Sequence, residues 1–398
     1  MTNPIDDKPP MRIALFSGNY NYVMDGPVRA LNKLIGHLNN RGHETLIFAP
    51  TIKEPAFAHE GTLISVPSFA VPGSRSEYRV GLGIHGGVRR QLDAFKPTLI
   101  HLSAPDYIGY SALNYARKNK IPAVASFHTR FDTYPRYYGA KWLEKYLTKY
   151  MRHFYRRCEH VYPPSQSMAD ELRRDGIGTD IRLWTRGVEA DLFNPSQRDL
   201  AWRRAHGVDD DDVLTVFVGR VVLEKGIDVF ANAMKIAQDK NPRAKALIVG
   251  DGPERPHFET QLPDGVFVGY QQGKDLARAY ASADIFFNPS ITETFGNVTL
   301  EAMASGLASV CAKASGSLSL VEDGVTGLLS EAEQGAEGFA ACLGRLIDDH
   351  EMRRALGAQA REKSLEFNWA TILDGLIENY RDAISGYDKN KFVATNDV

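Results

Sequence analysis

Short runs of β-branched and aliphatic residues alternate along the chain with longer segments in which apolar positions recur every three to four residues. This is the pattern of parallel sheets covered on both faces by helices. It predicts strands over residues 11–16, 44–48, 63–66, 98–102, 123–127, 160–162 and 181–184, then over 213–218, 246–249, 265–268, 285–288, 309–312 and 326–329. Each set is a doubly wound domain of α/β class. Between the sets, R-G-V-E-A-D-L-F-N-P-S at 186–196 has neither period and reads as a hinge. The expected division is a flexible leader over 1–10, an N-terminal Rossmann-like domain over 11–190, a C-terminal Rossmann-like domain over 191–365, and a terminal helix and tail over 366–398. Helical periodicity over 352–384 would let that last segment return across the hinge towards the first domain.

The apolar runs are strand-sized, well short of the ~18–20 residues a membrane-spanning helix needs, and the opening M-T-N-P-I-D-D-K-P-P lacks the basic and apolar regions of a secretory signal. A cytoplasmic protein is expected, with any membrane contact peripheral. The 398 residues, 43% apolar and 24% charged, exclude disorder as a description of the whole chain. Lys+Arg 47 against Asp+Glu 49 gives a net charge of -2, which argues against a nucleic-acid partner. Cys158, Cys311 and Cys342 are too few and too scattered for a disulfide framework or a structural zinc site.

Sheets of this kind bind ligands beyond the carboxyl ends of their strands. After the strand at 213–218 comes G-R-V-V-L-E-K-G, with Arg220 and Lys225 just before a helix. A guanidinium fork, an ammonium and the positive end of that helix can hold a diphosphate without a metal; two solvated surface cations are the other reading. After the strand at 285–288 comes N-P-S-I-T-E-T-F-G-N-V-T-L-E-A-M-A-S-G. Here Glu293 lies in the loop, Glu301 lies one turn into the next helix, and the N–H groups of Gly296, Asn297 and Val298 lie at its mouth. Carboxylates accept paired bonds from vicinal hydroxyls, so the pair suits a sugar and a ribose; a capping acid and a solvated glutamate are the alternative. Asp209 to Asp212 contains a literal D-x-D, but it lies at the amino end of a strand and reads as a solvated turn.

Taken together, G-R-x-x-x-E-K-G followed by E-x-F-G-x-x-x-L-E-A-M resembles the donor site of retaining glycosyltransferases of family 4, whose fold is GT-B: two doubly wound Rossmann-like domains facing across a cleft. The resemblance implies that Arg220 and Lys225 bind the donor pyrophosphate, Glu293 the transferred sugar and Glu301 the ribose. It places Phe295 in the same motif and Val268, within V-F-V-G-Y, at the base-binding edge. In the N-terminal half, D-G-P-V-R-A-L matches a loop in which Gly26 lets backbone approach the donor, and S-F-H-T places His128 near the reacting sugar. The chain departs from the family at Gly306-Leu307-Ala308 and Ala314-Ser315-Gly316-Ser317, where Gly-x-Pro and a Gly-Gly loop are common.

Residues 130–157 carry eight Lys+Arg against Asp132 and Glu144, with nine aromatics. As a helix over 140–158 this segment sets Trp142, Tyr146, Tyr150 and Phe154 beside Lys141, Lys145, Lys149 and Arg152, with Arg130 just before it. Such a helix suits an interface with anionic lipid; a core-facing aromatic stripe with a solvated basic edge is the equal alternative. Arg75, Arg79 and Arg130 are candidates for recognising a carboxylated sugar or an anionic head group; ordinary surface placement is the equal alternative. The resemblance is greatest to members that glycosylate membrane lipids, such as sulfoquinovosyl-, mannosyl- and glucuronosyltransferases. It implies transfer of a hexose or hexuronate from a UDP- or GDP-sugar to a lipid hydroxyl with retention, no cofactor and no metal. A nucleotide-sugar epimerase of the same shape, a transferase acting on a polysaccharide or soluble acceptor, and a nucleotide-sugar binding protein are the alternatives. Neither half has G-x-G-x-x-G after its first strand, which counts against an oxidoreductase.

Overall fold

A computed structural model describes residues 8–23, 25–71, 78–128 and 141–387. The chain forms two compact units: one runs to Trp184 and resumes at Ala370, and the other is Thr185–Trp369.

The first unit holds β1 (Arg12–Phe16), β2 (Glu44–Ala49), β3 (Thr62–Ser65), β4 (Ser68–Ala70), β5 (Arg79–Gly81), β6 (Leu99–Leu102), β7 (Ala123–Ser126) and β8 (Val161–Tyr162). Its helices are α1 (Gly26–Asn40), α2 (Gly86–Phe95), α3 (Tyr107–Lys118), α4 (Glu144–Tyr155) and α5 (Gln166–Arg174). Six strands pair in the order β3-β2-β1-β6-β7-β8, all parallel, with Arg12 opposite Glu44 through Phe16 opposite Phe48. Every residue of β6 and β7 is buried, which is why these strands read as mostly apolar runs rather than as alternations, with the polar His101 and Ser126 bonded to each other.

The second unit holds β9 (Val213–Val218), β10 (Ala244–Val249), β11 (Val266–Gly269), β12 (Ile285–Asn288), β13 (Ala308–Ala312) and β14 (Gly327–Ser330). Its helices are α6 (Leu200–Ala205), α7 (Ile227–Lys240), α8 (Arg255–Gln261), α9 (Gly273–Ser282), α10 (Asn297–Ala304), α11 (Ser315–Leu318), α12 (Gly335–Asp348) and α13 (His350–Ser364). Its parallel sheet runs β11-β10-β9-β12-β13-β14. In both sheets the order of connection reverses beside the first strand, at β1/β6 and at β9/β12, and the strand ends there open a crevice.

The last helix, α14 (Trp369–Ser385), begins at the end of the second unit, and its body packs within the first. His37 of α1 and Arg41, which caps its end, both bond to Asp374, and Arg182 reaches Asn379 at 3.0 Å and Asp382 at 2.8 Å. At its centre Tyr380 is buried and bonds His101 of β6.

Two local expectations need correction. Residues 181–184 are not a strand; Ile181 makes a single parallel bridge to Val161. Arg182 and Trp184 donate to Val161 and Pro163 as ladder residues would, but Pro163 has no N–H to return the bond, so the ladder stops. The antiparallel β4–β5 hairpin, pairing Phe69 with Val80, is absent from the predicted strands because three-residue strands are too short for a period to register.

Candidate functional site

The chemistry-bearing loops of the second unit meet at the carboxyl ends of β9, β12 and β13. The loop after β9 closes through Gly226 at φ +73°, where an added Cβ would come within 3.1 Å of Pro289 in the loop after β12. Thr292 donates back to the Glu224 carbonyl at 3.4 Å. The two loops are thereby fastened side by side, and Lys225 Nζ donates to Glu293 Oε1 at 2.6 Å. Both side chains are about one-quarter to one-fifth exposed, so the pair is partly shielded yet open to a ligand. A third loop joins them: a Cβ on Gly316, in α11, would approach the Glu293 carbonyl to 2.7 Å, so only glycine lets the start of α11 lie against that residue. The chain departs from the family's Gly-Gly pattern here, yet Gly316 still lies against Glu293.

Gly296, at φ +94°, precedes α10, and its left-handed backbone turns the chain into the helix whose first residues are Asn297 and Val298. Glu301 lies one turn further in. Phe295 is buried against Phe367, with ring centroids 6.0 Å apart, and anchors the loop from beneath. Arg220 is exposed on the loop after β9, and Val268 is half-buried on β11, next to Gly269, whose carbonyl accepts from Gly250.

One residue at this site escapes sequence reasoning. Tyr280 of α9 is buried, and its hydroxyl lies 3.1 Å from both the Val298 carbonyl and Glu301 Oε2. It orients the carboxylate from below the helix. In the sequence it is one aromatic on an apolar helix face, indistinguishable from core.

In the first unit, the loop after β1 leads to α1, whose N-cap is Asp25: its carboxylate accepts from the Val28 N–H at 2.9 Å, with Gly26 and Pro27 opening the helix. Burial pushes the Asp25 carboxyl upward. Asp106 caps α3 through the Gly109 N–H at 2.7 Å, and burial raises its carboxyl to about 6. A Cβ on Gly18 would come within 2.4 Å of Asp106 Oδ2, so the loop after β1 rests on that acid. His128, half-buried after β7, meets Trp184 edge-on at 5.8 Å. Trp184 in turn packs at 5.8 Å against the buried His101, which burial holds neutral with a pKa near 3.

The basic aromatic segment divides along its length. Trp142, Tyr146 and Tyr150 are 67%, 57% and 38% exposed, whereas Met151, Phe154 and Tyr155 are core. The stripe is therefore neither wholly core nor wholly surface: in α4 the four-residue spacing drifts inward because 3.6 residues make a turn. Lys145 and Lys149 are exposed beside the aromatics, and Lys145 Nζ lies 5.1 Å from the Tyr146 ring centre. Arg75, Arg130 and the side chain of Lys141 lie outside the described residues. Arg79 is engaged in the hairpin, donating to Ser68 Oγ at 2.8 Å and to the Ser68 carbonyl at 3.0 Å. Asp209 to Asp212 form a turn before β9, with Asp210 paired to Arg204 and the Asp209 N–H bonded to Asp212 at 2.9 Å. All three cysteines are free thiols.

Comparison with known proteins bears on the whole chain. The family description "Glycosyltransferase Family 4" matches residues 24–192, and "Glycosyl transferases group 1" matches 199–363. A GDP-mannose-dependent alpha-mannosyltransferase from Corynebacterium glutamicum is 30% identical over 380 residues, covering 94% of this chain and 90% of that protein. The sulfoquinovosyl transferase SQD2 of Arabidopsis thaliana is 32% identical over 394 residues, covering 96% of this chain and 76% of that protein. Among solved structures, sucrose-phosphate synthase from Thermosynechococcus elongatus superposes with a TM-score of 0.74 at 21% identity, covering 94% of this chain and 100% of that one. Anabaena HepE, solved with UDP and glucose, superposes with a TM-score of 0.72 at 20% identity over 94% and 100% of the two chains. Those likenesses identify the fold as GT-B, and with the two family matches and the full-length relatives they make this chain a glycosyltransferase of family 4.

Proposed function

We propose that the protein transfers a hexose or hexuronate from a UDP- or GDP-sugar to the hydroxyl of a membrane lipid, retaining the anomeric configuration and using no metal. The observation that carries the reading is the Lys225–Glu293 pair at 2.6 Å where three post-strand loops of the second unit converge. In the donor complex Lys225 and Arg220 neutralise the diphosphate, the amides at the starts of α10 and α11 face its oxygens, Glu293 accepts from sugar hydroxyls, and Glu301 accepts from the ribose, with Val268 beside the base. Transfer then breaks the bond from anomeric carbon to phosphate oxygen and forms the bond from the same carbon to the acceptor oxygen on the same face. The acceptor proton passes to the departing phosphate, whose growing charge is stabilised by Arg220, Lys225 and the helix ends.

A lipid acceptor is supported by relatives whose names state such chemistry, among them an alpha-monoglucosyldiacylglycerol synthase from Acholeplasma laidlawii, 24% identical over 336 residues, with 80% of this chain and 84% of that protein covered. It is also supported by the exposed Trp142, Tyr146, Lys145 and Lys149 of the α4 segment. No described helix is long and apolar enough to cross a membrane, so the contact we propose is peripheral, at the cytoplasmic face of an anionic membrane. Incubation of the purified protein with UDP- and GDP-hexoses and lipid vesicles tests the reading through label recovered in the organic phase. Rapid donor turnover indifferent to added lipid would favour the epimerase class instead.

A further inference from the structure

The first unit buries a chain of polar side chains that packing alone does not require. His101 of β6 is fully buried, and both of its ring nitrogens are engaged: Nδ1 bonds the Tyr380 hydroxyl of α14, and Nε2 bonds Ser126 Oγ, at the end of β7, at 2.5 Å. Burial keeps the imidazole neutral. In either tautomer it then has one N–H and one lone pair, and the chain Tyr380–His101–Ser126 uses both. Tyr162 closes over the same rings, with its centroid 6.3 Å from that of His101 and 6.1 Å from that of Tyr380. A phenylalanine at 101 would fill such a place at less cost, because every buried polar group must first be desolvated and then paired again. What the polar chain adds is direction: a ring held at two nitrogens cannot turn about its bond to Cβ.

That fixed ring begins a series of edge contacts that ends at His128. Trp184 meets His101 with centroids 5.8 Å apart and planes at 69°, and it meets His128 at 5.8 Å and 62°. The indole is buried, and the Trp184 backbone N–H bonds the Pro163 carbonyl at 3.0 Å, so the residue is held through its backbone as well. The backbone after β7 is fixed as far as Phe127, whose N–H bonds the Tyr162 carbonyl at 3.0 Å and whose ring packs on Tyr155 at 5.2 Å. His128 comes next, half-buried, with its ring against the indole. Ser126 and His128 are two residues apart: the first bonds His101, and the second meets the tryptophan that His101 supports. The contacts therefore close into a circuit, and Tyr380 of α14 holds it from outside the sheet.

We propose that Tyr380, His101 and Trp184 are positioning residues for His128: the seat of α14 fixes the His101 ring, that ring fixes the indole, and the indole fixes the orientation of the His128 imidazole. The proposal rests on the reading, implied by the family resemblance, that His128 serves the transfer. None of the three residues has to touch a substrate. A group displaced by ~1 Å by a change far from the chemistry can lower a rate by ~10². A loosened imidazole that still visits its proper orientation should lose less than that, and should lose it in turnover rather than in donor affinity.

The test is NMR of the full chain labelled with carbon-13 at histidine Cε1, with the His128 resonance assigned by its loss in His128→Gln. Tyr380→Phe keeps the aromatic ring and removes only a hydroxyl, which His101 and Trp184 separate from His128. A merely structural phenol would leave the His128 resonance in place; the positioning role predicts that it moves or broadens. Transfer from a UDP- or GDP-hexose to lipid, counted per site titrated calorimetrically with UDP or GDP, should fall about tenfold in Tyr380→Phe and in Trp184→Leu, with KM for the nucleotide sugar within about twofold. Trp184→Phe keeps an aromatic edge and should recover most of the loss. Wild-type circular dichroism and one cooperative thermal transition would show that each variant is folded, and Tyr380→Phe decides the matter should Trp184→Leu not fold. An unmoved His128 resonance in folded Tyr380→Phe would overturn the proposal, as would wild-type kcat in Trp184→Leu where His128→Gln is impaired. The two readings fail separately. If no UDP- or GDP-hexose is transferred, the transferase reading falls while the His128 resonance still decides whether the three residues hold the imidazole. If His128→Gln transfers at the wild-type rate, the transferase reading stands and the positioning role falls.

Discussion

Glu293 and Tyr280 illustrate what a single side chain reveals in a sequence and what it conceals. Glu293 announces itself, because an acid in a post-strand loop followed by Phe-Gly and an apolar helix has few structural duties. Its contact with Lys225 then follows from two loops fastened through Gly226 and Thr292. Glu293→Gln keeps the shape but removes the charge, and is predicted to lower kcat by about 10²–10³ while leaving the nucleotide diphosphate Kd within about threefold; steady-state kinetics beside calorimetric titration checks both. Tyr280 carries no sequence signal, since a tyrosine on an inward helix face is ordinary core. Its hydroxyl bonds Glu301, so on the reading that Glu301 holds the ribose, Tyr280→Phe should weaken binding of a ribonucleotide diphosphate by roughly three- to tenfold. Its 2′,3′-dideoxy counterpart should bind as before, and equal weakening of both would show that Tyr280 merely packs.

Elements were most legible where burial is complete on both faces. The predicted strand over 213–218 coincides with β9, and that over 285–288 with β12, because short runs rich in β-branched and aromatic residues favour a buried strand. Legibility failed at the rim: Pro163 ends a ladder that the apolar character of 181–184 had promised, and the short hairpin was invisible. The helical segment over 140–158 was readable as an element but not by face, since its stripe passes from surface at Trp142 to core at Phe154. At this scale the close approach of two loops makes a prediction. Gly250 has φ +142°, and a Cβ there would come within 1.9 Å of the Gly219 carbonyl. Backbone cannot yield as a flexible side chain can, so Gly250→Ala should cost on the order of 2–4 kcal/mol, measurable by urea unfolding. The loop bearing Arg220 would shift with it.

The seat of α14 gives a second element-level prediction. His101 is buried between Tyr380 and Ser126, and the free imidazole takes a proton at pH 6.5 while the buried one resists it down to about 3. The folded state therefore binds fewer protons than the unfolded across that window. Stability should fall as pH falls from about 6.5, by up to about 1.4 kcal/mol per pH unit from this group. Asp106 opposes it: with its carboxyl raised to about 6, protonation on acidification relieves an unfavourable buried charge. His101→Gln should thus be less stable than wild type at pH 7 yet lose less stability between pH 6 and 4. Parallel acid limbs in chemical unfolding would contradict this.

For the whole molecule, two units each built on a six-stranded parallel sheet with a reversal beside its first strand explain why chemistry gathers at strand ends. The architecture was legible because the two strand sets repeat. The identities of sugar, base and acceptor were not, because the residues that would choose them are scattered among loops whose meeting no periodicity encodes. Cations and helix ends of the second unit are proposed to carry the leaving diphosphate without a divalent ion, for delivery of the sugar to a lipid. The most direct test is transfer from a panel of UDP- and GDP-hexoses to lipid acceptors in excess EDTA, read as labelled lipid. Undiminished product from one donor in EDTA is expected; product that vanishes in EDTA and returns only with manganese would contradict metal-free transfer.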